Sequence, residues 1–166
     1  LAAGAAGPAG RGEMALVVLG SGERWIEDSI SALAADNPGR VFFRRGWDED
    51  MSHRLFAGSD MFLMPSRFEP CGLTQMIAMR YGSLPVARRT GGLADTVTDM
   101  RSRGTGFLFD GDSPADVEEA LSRAIDSFID RRAWRSAMRR GMARDDSWAS
   151  RMPAYEEVYA KAAGRR

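Results

Sequence analysis

The residues best suited to chemistry fall in one run, Pro65-Ser66-Arg67-Phe68-Glu69-Pro70-Cys71-Gly72-Leu73-Thr74-Gln75. Glu69 offers a carboxylate that can accept hydrogen bonds from neutral hydroxyls, as on a sugar. A helix opening at Gly72 would leave the amides of Gly72, Leu73 and Thr74 without intrahelical acceptors, and together with the helix dipole these form an anion site suited to phosphate. Gly72 also permits close backbone approach to a ligand. Cys71, the single cysteine, reads as a small packing residue rather than a nucleophile. The apolar Met61-Phe62-Leu63-Met64 ahead of the run reads as a strand, and Leu73, Met76, Ile77, Met79 and Arg80 behind it as a helix. The run then lies at the carboxyl end of a sheet, where open α/β folds bind ligands. On these residues alone, an ordinary proline-rich turn with a solvated glutamate stays open as the alternative.

Composition narrows the classes. Lys plus Arg and Asp plus Glu number 23 each, so no net charge draws the chain to nucleic acid or to an acidic surface. One Cys excludes an internal disulfide and suits a reducing, cytoplasmic setting, and one His with one Cys is too few for a zinc cage. No apolar run reaches the roughly 20 residues that span a membrane, and the Ala/Gly-rich opening is no convincing signal peptide. A length of 166 residues fits one domain with a sizeable core. A first residue of Leu suggests that the native start lies upstream.

The elements that must position the run alternate. Residues 1–13 have no apolar periodicity and read as a flexible loop or a frayed helix end. Ala15-Leu16-Val17-Val18-Leu19 reads as a buried strand ending at Gly20-Ser21-Gly22, half of a dinucleotide fingerprint with Trp25 where the third glycine belongs, so a nicotinamide site is not expected. A helix with Ile26, Ile30, Leu33 and Ala34 on one face stops at Asn37-Pro38-Gly39; Val41-Phe42-Phe43 is a strand, and residues 48–57 a short helix in which His53 is satisfied or exposed rather than catalytic. Leu84-Pro85-Val86-Ala87 leads to a second glycine loop, Arg88-Arg89-Thr90-Gly91-Gly92, and Gly106-Phe107-Leu108-Phe109 is a last strand. Ser113-Pro114-Ala115-Asp116 carries a capping-box start. Strands alternating with helices imply an α/β, doubly wound, Rossmann-like parallel sheet with helices on both faces. The expected organisation is a domain over residues 14–146 and a terminal helix over 147–166, strained by Pro153, which either bends it or delays its start.

Three segments together resemble the bacterial glycogen synthase and plant starch synthase family: Ser66 through Gln75, then Met79-Arg80-Tyr81-Gly82-Ser83-Leu84-Pro85, then Arg88-Arg89-Thr90-Gly91-Gly92-Leu93-Ala94-Asp95-Thr96-Val97. His53 through Asp60, Gly104 through Phe109 and Asp146-Ser147-Trp148 extend the likeness, which covers the chain from about Leu16 onward. The resemblance implies the C-terminal half of a two-domain, GT-B type retaining glycosyltransferase. Its reaction moves glucose from ADP-glucose, or UDP-glucose in some members, to the non-reducing end of an α-1,4-glucan in glycogen biosynthesis. It implies Glu69 as the catalytic carboxylate and Cys71, Gly72, Leu73 and Thr74 as donor-binding. Trp47 would stack on the base, and Gly20, Ser21, Gly91 and Gly92 would border the nucleotide-sugar. No cofactor and no metal is implied. The glucan acceptor would be held through an N-terminal domain, on which the terminal helix would pack, leaving an apolar outer face without it.

Two departures qualify that implication. The family pairs this loop with an Arg and a Lys on an earlier loop that clamp the diphosphate, and nothing in residues 1–13 matches it. The chain by itself is therefore expected to bind donor weakly and to be inactive. Ile77 stands eight residues after Glu69, where sucrose-type and cell-wall-type transferases carry a second Glu. A retaining transferase with another donor, and a non-catalytic nucleotide-sugar-binding remnant, are the competing readings.

Overall fold

A computed structural model describes residues 2–5 and 14–164. A six-stranded sheet runs in the order β3-β2-β1-β4-β5-β6. The strands are β1 (Ala2–Ala5), β2 (Met14–Gly20), β3 (Val41–Arg45), β4 (Met61–Met64), β5 (Leu84–Arg88) and β6 (Phe107–Phe109). Between and after them come α1 (Arg24–Asp36), α2 (Glu49–Gly58), α3 (Thr74–Tyr81), α4 (Gly91–Thr96), α5 (Pro114–Ile129), α6 (Arg131–Met142) and α7 (Trp148–Ala162). β2 pairs with β3, and β4 with β5 with β6, all parallel, so their carboxyl ends share one edge of the sheet.

β4, β5 and β6 are short and apolar because they are covered on both faces, as parallel strands between helix layers are. Successive residues go to opposite sides with the period of two that a pleated strand imposes. Phe62, Met64, Ala87 and Leu108 pack with Phe56 of α2, Ala78 and Met79 of α3, and Leu93 of α4. Met61, Leu84, Val86, Phe107 and Phe109 pack with Ala120 and Ala124 of α5 and with Trp134 and Ala137 of α6. Trp134 is 2% exposed, stacked on Phe107 and edge-on to Phe128. α5 begins at the expected capping box, with Ser113 and Asp116 bonded reciprocally and Pro114 at its first position.

Two expectations change, on the opening stretch and on the start of α7. Part of the stretch read as flexible is a strand: β1 runs antiparallel to both β2 and β4, with Ala2 opposite Val17 and Phe62. Small residues have weak strand propensity, but the open edges of β2 and β4 require backbone partners; residues 6–13 lie outside the described residues. The buried face of α3 is Gln75, Ala78 and Met79, whereas Leu73 ahead of it is 65% exposed and Arg80 lies on the surface, its guanidinium donating to the Met142 carbonyl at 2.6 Å. Finally, of the two outcomes expected at Pro153, the delayed start is not found, since α7 already begins at Trp148. Ser147 caps it and Pro153 lies within, where it can give no proton to the Ala149 carbonyl one turn back. Trp148, Met152, Tyr155, Val158 and Tyr159 of α7 all stand exposed.

Two outcomes follow from this packing. Trp134→Ala is expected to cost roughly 3–5 kcal/mol in urea unfolding, as the loss of a large buried aromatic does. At the start of α7, the Arg144 guanidinium, bonded to Asp146 at 3.0 and 3.1 Å, and then Arg151 hold the Asp146 carboxyl below the ordinary carboxylate range. A depressed folded-state pKa gives stability that is complete above the unfolded-state value and lost as pH falls through the lower folded value. Asp146→Asn is expected to lower stability at neutral pH and to flatten its fall in acid, read from unfolding curves at a series of pH values.

Candidate functional site

β4 is an inner, buried strand, so its carboxyl end fixes where the Pro65–Leu73 loop emerges. The loop turns into α3 at Gly72, whose φ of +69° is open to glycine and strained for other residues. No side chain caps α3, and among the described residues the amides of Gly72, Leu73 and Thr74 find no acceptor. The Glu69 carboxylate, half-buried three residues earlier, likewise has no hydrogen-bond or ion-pair partner among them. By contrast α2, α5, α6 and α7 all have side-chain caps, from Asp48, Ser113, Asp130 and Ser147. The uncapped helices α1, α3 and α4 are those that follow β2, β4 and β5. At α1 and α4 main-chain carbonyls of Glu23, Glu69 and Thr90 take up amides of the first turn, so the open run of Gly72, Leu73 and Thr74 amides is the feature of α3, beside the point where the strand order reverses.

The second glycine loop is fused to the first. The Gly92 amide donates to the Glu69 carbonyl at 2.9 Å, and the Arg88 guanidinium donates to the Arg67 carbonyl at 3.0 Å. A β-carbon on Gly92 would overlap the Cys71 carbonyl oxygen, and one on Gly91 the Glu69 carbonyl oxygen. These glycines are where two backbones touch, so Gly91, Gly92, Glu69, Cys71 and Gly72 form one assembly. Cys71 is exposed on it as a free thiol.

The remaining expected residues divide. Trp47, 83% exposed, and Thr74 line one apolar cavity of about 270 Å³ with Leu19, Phe56, Phe62 and Ile77. A flat ring against such a wall suits an aromatic base. Gly20 and Ser21 do not line it; Leu19, one residue earlier, does. Gly20 instead accepts from the Gly46 amide at 3.0 Å. His53, on the same cavity, has its Nδ1 3.0 Å from the Tyr81 hydroxyl.

Sequence reasoning missed the side chains that hold these turns. Buried Glu27 accepts from the Gly22 amide at 2.9 Å and pairs with Arg45 at 2.7 Å. Fully buried Gln75 donates to the loop carbonyls of Cys71 and Gly72. The available signal was a polar residue on each buried helix face, visible only once the face is known. Among the described residues, no group of three His, Cys, Asp or Glu side chains could hold a metal ion, and no helix is long and apolar enough to cross a membrane.

With uncapped donors, a free carboxylate and an aromatic-walled cavity along one edge of a doubly wound sheet, the class is defined by direct comparison. Residues 9–141 match the family described as glycosyl transferases group 1, and the chain belongs to it. Within that family it is similar to the glycogen synthase of Anaeromyxobacter dehalogenans, 50% identical over 149 residues, 89% of this chain and 31% of that protein. The catalytic domain of starch synthase IV from Arabidopsis thaliana, bound to ADP and acarbose, matches with a TM-score of 0.82 at 36% identity, over 91% of this chain and 33% of that one. Anabaena HepE in complex with UDP-glucose matches with a TM-score of 0.65 at 21% identity, over 88% of this chain and 41% of that one, a likeness of fold alone. The fold is a Rossmann-like half of the GT-B type, and the chain spans about a third of the length of the curated relatives it matches.

The fused loops make a direct test of packing. Gly92→Ala is expected to lower unfolding free energy by about 1–3 kcal/mol, the cost of forcing a methyl into filled space. Gly58→Ala, whose β-carbon would meet nothing within 4 Å, is expected to be neutral or stabilising by up to about 1 kcal/mol. Equal losses at both positions would remove the packing argument.

Proposed function

We propose that this chain is the nucleotide-sugar-binding part of a glycogen synthase. The parent enzyme transfers glucose from ADP-glucose to the non-reducing end of an α-1,4-glucan with retention at the anomeric carbon. The observation that carries the reading is the uncapped start of α3, with the Gly72, Leu73 and Thr74 amides open and Glu69 unpartnered ahead of them. The relatives named glycogen synthase and the ADP-bound starch synthase support the choice of reaction and of nucleotide.

As the bond from C1 to the diphosphate oxygen lengthens, negative charge grows on the departing diphosphate and positive charge on the sugar ring. Amides fixed at a helix start stabilise the leaving group without reorganising, and most strongly where water is excluded. Glu69 accepts hydrogen bonds from sugar hydroxyls and so orients C1 toward the incoming hydroxyl. Trp47 lies against the base, and Gly91 and Gly92 back the Glu69 loop. No metal is required in this scheme, because the backbone supplies the positive end. The exposed, unpaired Cys71 fits a reducing cytoplasm. The rest of the parent enzyme supplies the glucan site, so the chain alone is expected to bind donor weakly and to transfer no glucose.

Calorimetric titration of the chain with ADP-glucose and with UDP-glucose tests the reading. Binding that favours ADP-glucose and weakens about tenfold in Glu69→Ala, equivalent to roughly 1.4 kcal/mol, is the expected result. A folded chain that binds neither donor, or that prefers UDP-glucose, would overturn the assignment of the donor.

A further inference from the structure

Gln75 is fully buried at the second position of α3, where its side chain points back into the loop that precedes it. Its Nε2 lies 3.1 Å from the Cys71 carbonyl, 2.6 Å from the Gly72 carbonyl and 2.9 Å from Thr96 Oγ1. Thr96 Oγ1 accepts there and gives its own proton to the Gly92 carbonyl at 2.5 Å. One amide thus joins the start of α3 to the whole length of α4. The orientation of that amide is fixed by its surroundings, because an oxygen in the place of Nε2 would face two carbonyls. The consequence is that Gln75 Oε1 is buried with no partner.

An orphaned buried acceptor is costly, and an apolar side chain of similar shape would avoid it. Stability alone, with three Nε2 bonds set against one orphaned Oε1, does not single out glutamine here. Geometry does. In a planar trans peptide the carbonyl and the following N–H point in opposite directions. Turning the Cys71 carbonyl inward onto Gln75 turns the Gly72 amide outward, and turning the Gly72 carbonyl inward does the same for the Leu73 amide. Gly72 can follow because its φ is positive and it has no β-carbon to meet the Gln75 amide.

We propose that Gln75, with Thr96 as its relay, is a positioning residue that locks both glycine loops into one unit and aims the Gly72 and Leu73 amides at the diphosphate of a nucleoside-diphosphate ligand. This role rests on the donor-site reading above, but neither side chain touches the ligand. It acts on the orientation of two peptide planes and, through Thr96, on the Gly92 carbonyl of the second loop.

The test is titration of the chain with ADP beside thermal unfolding, for the parent chain and for Gln75→Met, Thr96→Val, Thr96→Ser and the Gln75→Met/Thr96→Val pair. Gln75→Met is expected to weaken ADP binding about tenfold or more, the scale on which misaimed donors act, in a chain that still unfolds cooperatively above the titration temperature. Thr96→Val is expected to weaken it less, Thr96→Ser to retain it, and the pair to be no weaker than Gln75→Met alone. Thr96 is only half-buried, so the Val and Ser comparison decides the matter even where Gln75→Met does not fold. Parent-like ADP binding in folded Gln75→Met, or equal losses in Thr96→Val and Thr96→Ser, would overturn the positioning role and leave the donor site standing. Absence of ADP binding by the parent chain would overturn both.

Discussion

The site depends on a contact between two stretches of main chain. The Cys71 carbonyl and the Gly92 α-carbon lie so close that no side chain fits between them, and the Gly92 amide is spent on the Glu69 carbonyl. Both loops leave inner, mutually parallel strands, β4 and β5, whose spacing is set by the backbone ladder. Strands at that spacing bring the following loops within reach of each other, and glycine lets them meet. Everything polar at the edge is arranged around this meeting: the inward carbonyls of Cys71 and Gly72, the outward amides, and the free Glu69 carboxylate.

The helix starts obey a related constraint. A helix N-terminus needs acceptors for its first amides, and this chain provides them by side chain at α2, α5, α6 and α7. Asp130 alone satisfies the Arg132 and Ala133 amides at the start of α6. At α3 no such residue is present, although Ser, Thr, Asp or Asn at position 73 would supply one; Leu73 stands there and is exposed. A missing cap is a small local cost, and it falls where an anionic ligand would make it good.

Much of this was legible in the sequence, for identifiable reasons. Met61-Phe62-Leu63-Met64 is apolar on both faces and so announces a strand covered on both sides. Ser113-Pro114-Ala115-Asp116 carries its capping box in four residues, and Glu69 through Thr74 carries its carboxylate and its open amides in six. Local patterns of this kind survive folding because they need no distant partner. β1 was not legible, since its pairing to β2 and β4 satisfies their edges rather than any preference of alanine and glycine. Nor were the Glu27–Arg45 pair or the Gln75–Thr96 link, whose members are 18 and 21 residues apart and are joined only by the fold. The helix α3 was legible, but not the place of Gln75 on its buried face, which a glutamine takes only because loop carbonyls accept from it.

The sheet also has a seam. β2 and β3 reach the remaining parallel strands only through β1, and both large apolar clusters lie on the far side of it, among β4, β5, β6 and the helices on them. Among the described residues of β2, β3 and α1, Val18 is the one buried apolar side chain, and Ile26 and Leu33 of α1 stay open to water. Such a unit opens at lower free energy than the rest, in a step of its own. The Trp47 cavity straddles the seam, with Leu19 and Trp47 on one bank and Phe62, Thr74 and Ile77 on the other. An occupant would act as a rivet: by mass action it would hold shut a boundary that the chain's own packing closes only weakly, so that occupancy and the integrity of the sheet rise and fall together.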